Sequence, residues 1–149
     1  MFNYGLRALC VLAQRYGKAP VSAKEISELE EISPSYLEQL LAQLRRSGLI
    51  KGVRGPGGGF RLMKHPSRIK ISEIVEALEG PFLVSRCLAP GNTPPDERCG
   101  RFKTCPAVPL YKKLERDLTK VLESYKLSDM LGWDKGGSGP GRKKKKSGR

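Results

Sequence analysis

Apolar residues recur along this chain with the helical period in five places and with the alternating period of a strand in two. The clearest helical stripe is Leu37, Leu40, Leu41 and Leu44, at i, i+3, i+4 and i+7. Ser33 stands before it as an N-cap, and Pro34 takes the first helical position, where its missing N–H costs nothing. Ile32 can pack back on Leu37 as a hydrophobic staple. Arg45 and Arg46 suit the negative end of the helix, and Gly48 supplies the left-handed stop.

Upstream, Leu6, Leu9, Cys10 and Ala13 predict a helix over about 3–16, with Cys10 as a small core residue. Ser22 and Glu25 form an S-x-x-E capping box, with Val21 and Ile26 as its staple, and predict a second helix over 23–29. Only Glu30, Glu31 and Ile32 separate this helix from the Ser33 cap. Two helices so joined, the second with a polar face, make a helix-turn-helix.

Downstream, Leu49–Val53 and Phe60–Met63 have the pattern of strands. Between them, Arg54-Gly55-Pro56-Gly57-Gly58-Gly59 excludes strand or helix interior. The unit reads as a hairpin with a glycine tip, the wing of a winged helix. RGPGGGF matches neither phosphate-loop pattern, and a strand rather than a helix follows it, so nucleotide binding is set aside. Ser72 is a candidate cap for a short helix over 73–79, ended by Gly80-Pro81. His65, the sole histidine, sits in a turn beside Pro66 and reads as a surface residue.

From Arg86 to Pro109, five prolines interrupt the pattern and three cysteines appear: Cys87, Cys99 and Cys105. So long a loop in a small domain is functional or disordered. A long helix follows, with Leu110, Leu114, Leu118, Val121 and Tyr125 close to a heptad seam. From Leu110 to Leu127 it would be about 27 Å long, more apolar stripe than a small winged helix can cover, so a second copy of the chain is the expected cover. The plan is therefore mostly α with a small β-hairpin. A winged helix-turn-helix occupies 1–83, a cysteine-bearing sensor loop 84–108, a dimerisation helix 109–131 and a flexible basic tail 132–149.

Charge sharpens this picture. The formal net charge is +13, and the stretch up to Asp134 still carries 21 cations against 15 acids. A polyanionic partner is favoured even without the tail. The tail GGSGPGRKKKKSGR fits a phosphate tether, a solubilising sequence or a remnant of cloning. On the polar face of the Ser33 helix, Ser35, Gln39, Ala42 and Arg46, flanked by Glu38 and Gln43, can reach base edges and phosphate, though the same pattern also fits a solvated face. At the wing, glycines let the backbone approach DNA, with Arg54 and Arg61 beside them. No run is long enough to span a membrane, and no signal peptide is evident, so a cytoplasmic protein with no membrane contact is expected. Four cysteines without an export signal favour metal or redox use over a disulfide framework. No nucleophile–base pairing argues for an enzyme.

At SYLEQLLAQLRRSGLIKGVRGPGGGFRL, with LRALCVLA before it and ISEIVEALEG after it, the chain resembles bacterial winged-helix regulators of the IscR and NsrR type. The resemblance spans residues 1 to about 131. It implies a homodimer on near-palindromic double-stranded promoter DNA with an iron–sulfur cluster on Cys87, Cys99 and Cys105, and the chain is read as a transcriptional regulator, with repression the expected sign. It also implies Ser35, Glu38 and Gln39 at the major groove and Arg54 with the glycine tip, Gly55, Gly57 and Gly58, at the minor groove; Tyr36, Arg46 and Arg61 complete the expected DNA-binding set. Two departures stand out. Cys87 to Cys99 is C-x11-C, longer than the usual interval, and a fourth ligand is missing, since Val108 and Asn3 occupy the positions where relatives carry His or an acid. A 2Fe-2S cluster is favoured without excluding 4Fe-4S. Zinc would want C-x2-C or Cys/His pairs, whereas a thiol switch would need only two of the cysteines. A cluster-free regulator using thiols or a partner protein, and a basic winged helix acting on RNA, stand as the other readings.

Overall fold

The structure, a computed structural model, describes residues 1–89, 91, 97 and 99–133. The basic tail from Asp134 onward, and part of the cysteine loop, lie outside the described residues.

Helix α1 (Phe2–Gln14) runs through the middle of the molecule. The expected stripe is there, with Leu9 and Ala13 buried and Leu6 and Cys10 packed against the core. Burial is wider than that stripe, taking in Ala8, Val11 and Leu12 as well, because several elements pack around α1. Helix α2 (Ala23–Glu30) and helix α3 (Pro34–Arg46) follow as expected. The Ser22 hydroxyl accepts the Glu25 N–H at 3.1 Å. Ser33 holds the N-cap position of α3, although its hydroxyl accepts no capping bond. Leu37, Leu40, Leu41 and Leu44 are all buried, each worth about 1.5–3 kcal/mol relative to exposure.

Strands β1 (Ile50–Val53) and β2 (Gly59–Leu62) pair antiparallel, with Ile50 opposite Leu62, Lys51 opposite Arg61, Gly52 opposite Phe60 and Val53 opposite Gly59. The hairpin is anchored by a third, one-residue strand. Val21 and Phe60 exchange backbone hydrogen bonds at 3.0 and 2.8 Å.

Helix α4 spans Ile71–Glu79. It begins earlier than a Ser72 cap allows, because the Glu73 carboxylate takes the Lys70 N–H at 3.2 Å and so closes the first turn around Lys70. Burial raises the Glu73 pKa, but the Lys64 hydrogen bond, the Lys70 backbone bond and the two nearby ammonium charges outweigh it. The carboxyl is held below its ordinary 4.5.

Helix α5 (Ala107–Ser124) is the long helix, and it starts and stops earlier than expected. Tyr125 is extended, at φ −97° and ψ 145°, and a short helix α6 (Leu127–Trp133) turns back. The break has a tertiary cause. The Tyr125 carbonyl accepts the Ile71 N–H and the Leu127 N–H bonds the Ile69 carbonyl, both at 2.9 Å. Leu127, expected at the end of the dimer helix, is instead fully buried in the core with Ile69 and Ile74.

Candidate DNA-binding interface and cysteine loop

The angle between α2 and α3 is fixed by a tight turn. Glu31 is left-handed at φ 51°, the Ile32 N–H reaches back to the Ser27 carbonyl at 3.1 Å, and the Ser27 hydroxyl donates to the Ile32 carbonyl at 2.6 Å. The far end of α3 closes the same way. Gly48, at φ 74°, bonds the Arg45 carbonyl and Leu49 bonds the Leu44 carbonyl, a Schellman ending. With both ends held and four leucines inward, α3 presents a fixed outer face.

On that face Ser35, Glu38, Gln39 and Arg46 are exposed. Tyr36 differs. It is half-buried, with its ring in a T-shaped contact with Tyr4 at 5.7 Å. Ala42 and Gln43 are also half-buried, and the Gln43 side-chain oxygen is buried without a hydrogen-bond partner among the described residues.

The wing tip is a four-residue turn, Gly55 to Gly58, closed by the Gly58 N–H on the Gly55 carbonyl at 2.9 Å. Pro56 followed by Gly57 at φ 74° is the residue order of a type II turn. Arg54, Gly55 and Gly57 are exposed, Gly58 is half-buried and Arg61 is exposed on β2. Arg46, Arg54 and Arg61 form no ion pair among the described residues, whereas Arg7, Arg15 and Lys64 are held by Glu30, Glu25 and Glu73. Lys51 belongs with these exposed cations, although sequence reasoning does not single it out. The register sets it directly opposite Arg61, and the alternation around the buried Ile50 is the signal that could have found it.

The cysteines lie on the connection between α4 and α5. Cys87 sits in a 3-10 turn (Arg86–Leu88), its sulfur 3.1 Å from the Ser85 hydroxyl. The Cys99 carbonyl accepts the Phe102 N–H at 2.8 Å, and the Cys105 carbonyl accepts the Val108 N–H at 3.3 Å, at the entrance to α5. All three are half-buried free thiols. Three thiols are chemically the soft donors that an iron–sulfur cluster takes. In position they are not gathered: among the described residues no three Cys, His, Asp or Glu side chains stand close enough to share a metal. Val108 is buried and Asn3 is exposed on α1. Cys10 lies 3.8 Å from the Met130 sulfur at the α1–α6 contact.

On α5, Leu110, Leu114, Leu118 and Val121 are exposed by 40–55%. Tyr125 departs from this row. It lies half-buried in the elbow, beside Phe2, Leu6 and Ile71.

Residues 1–132 match a family model described as "Rrf2: Iron-dependent Transcriptional regulator". The HTH-type transcriptional regulator IscR of Klebsiella pneumoniae (strain 342) is 34% identical over 129 residues, covering 87% of this chain and 76% of that protein. Among solved structures, T. potens IscR superposes with a TM-score of 0.69 at 33% identity, over 94% of this chain and 90% of that one. CymR, the global cysteine regulator of B. subtilis, gives 0.66 at 32%, over 89% and 93%.

Proposed function

Since the chain belongs to the Rrf2 family of transcriptional regulators, we propose that it is a homodimeric, cytoplasmic repressor of promoters bearing a near-palindromic site. Its relatives are DNA-binding transcriptional regulators, not enzymes. Among the described residues no helix is long and apolar enough to cross a membrane. The observation that carries the reading is the division of α3, with four leucines inward and Ser35, Glu38, Gln39 and Arg46 outward, beside a wing whose arginines have no acidic partner among the described residues. In this reading the α3 face meets base edges in the major groove, and Arg54 with Gly55, Gly57 and Gly58 meets the narrower groove. The exposed leucines of α5 meet their copies in a second protomer, setting two α3 helices about one helical turn of DNA apart. The operator test is Arg54→Ala, expected to weaken binding sharply. Affinity equal to wild type would remove the wing from the interface.

The sensing element of this proposal is the cysteine loop. Cys87, Cys99 and Cys105 would hold an iron–sulfur cluster, 2Fe-2S by preference. Such a group supplies a centre sensitive to iron supply, oxidation or nitric oxide. One observation favours a second reading, a cluster-free regulator that uses its thiols: no three donors converge among the described residues. Anaerobic purification of wild type and Cys99→Ala, with an optical spectrum and iron, sulfide and zinc assays, separates the two. Broad visible absorption with stoichiometric iron and sulfide, lost in the variant, supports the cluster. A colourless, iron-free protein that still binds DNA after attempted cluster insertion supports the thiols.

A further inference from the structure

From Gln39 to Ser72 the chain runs 34 residues without a carboxylate while carrying eight lysines and arginines. Glu73 and Glu123 engage Lys64 and Lys70 near the end of that stretch. Arg45, Arg46, Lys51, Arg54, Arg61 and Arg68 form no ion pair among the described residues. Two of them are in an unusual place. Lys51 and Arg61 are cross-strand partners in the hairpin, both exposed. Their side chains share one face, opposite the face on which Ile50 and Leu62 enter the core. Like charges directly opposite each other weaken a hairpin, and a carboxylate at either position would have stabilised it. Surface glutamates pair with cations elsewhere in the fold, so the omission here is local.

We propose that Lys51 and Arg61 form a phosphate clamp on the outward face of the wing, holding the backbone of duplex DNA beside the bases that α3 reads. The proposal rests on the DNA-binding reading and adds a contact to it. Along the chain the exposed cations run from Arg45 and Arg46 at the end of α3, through Lys51 on β1 and Arg54 at the tip, to Arg61 on β2. The other residues on this face of the ladder, Val53 and Gly59, are small and carry no hydrogen-bonding side chain. A guanidinium and an ammonium held side by side suit phosphate oxygens, a contact that positions a duplex and carries no sequence information directly.

The test uses the full chain with its selected operator and a random duplex of equal length, titrated across a range of salt. In Lys51→Gln/Arg61→Gln, the slope of log K against log salt falls in magnitude by about 2 per bound protomer. Both duplexes weaken by the same factor, and the preference between them is unchanged. The melting temperature of the free protein rises by about 1–5 °C as the repulsion is removed. Lys51→Arg keeps the wild-type slope, and Lys51→Glu lowers it while raising the melting temperature further by pairing with Arg61. An unchanged slope in the double variant, with wild type binding normally, overturns the clamp and leaves this face to an acidic protein partner. Loss of preference without loss of slope overturns it too, by assigning the pair to base reading. Wild type that binds neither duplex overturns the DNA reading itself, and the clamp with it.

Discussion

Gly59 is a residue the wing cannot exchange. It sits at φ 153°, and a Cβ there would overlap the Val21 carbonyl and crowd the Ser22 nitrogen, both backbone atoms. Gly59→Ala must therefore push the hairpin off the Val21–Phe60 bridge, at a cost of about 1–3 kcal/mol. Thermal melts should show that loss, and operator affinity should fall because the tip is re-aimed. Gly57→Ala is the contrast: φ is 74° but nothing lies within 4 Å, so only the backbone penalty of about 1–2 kcal/mol applies and the hairpin stays docked. Glu73 gives a residue-scale prediction in pH. Its pKa is depressed in the fold, so its contribution is present above the ordinary 4.5 and is lost as pH falls through the folded value. Glu73→Gln should be less stable than wild type at neutral pH and should lose less stability on acidification. Parallel acid-side slopes for the two proteins would remove Glu73 from the balance. Glu38 tests base reading. Glu38→Ala should change the ranking of operator variants more than it changes affinity for random DNA.

Helix α3 was legible in the sequence because every local signal agrees: the Ser33 position, Pro34, the leucine spacing and Gly48. The hairpin was legible because glycines can do little else there. Helix α6 was not. It is seven residues long and follows α5 with neither glycine nor proline between them, so the two read as one helix. Nothing in Ser124-Tyr125-Lys126 breaks a helix, and the break comes from pairing with Ile69–Ile71, far away in sequence. The start of α4 was misplaced for a similar reason, since a carboxylate reaching back can close a turn as well as a hydroxyl at the cap. At the element scale the prediction concerns α5. Leu114 and Leu118 are 40% and 42% exposed within one chain, so Leu114→Glu/Leu118→Glu removes little from the monomer core. The variant should keep its helical circular dichroism and sediment as a monomer, with operator affinity reduced. A variant that remains a dimer would place the interface elsewhere.

In the whole molecule, the face proposed to meet DNA was readable from the sequence and the arrangement of the cysteines was not. The former follows from helical period and hairpin register. The latter depends on a proline-rich segment with no period at all, and ligand identity alone does not place ligands together. Between the two, α5 leaves the winged helix and α6 returns to it, with Leu127 seated beside Ile69 in the same core as α1. A change in the loop, or in the proposed pairing of two α5 helices, therefore has a direct path of packed residues to the reading head. A coupling of about 1–3 kcal/mol along it would shift operator affinity some 5- to 150-fold.

That return has a consequence for synthesis. Ile69 and Leu127 are 58 positions apart, and a ribosome adding about 5–20 residues per second needs roughly 3–12 s to travel between them. Until it has, the nascent head lacks the leucine that fills its base and the bridge that pins the segment before α4. The cysteine loop and the long helix are necessarily made first. A chain cut short within them carries a complete recognition helix on an incomplete core, and every chain that finishes the core has already made its cysteine loop.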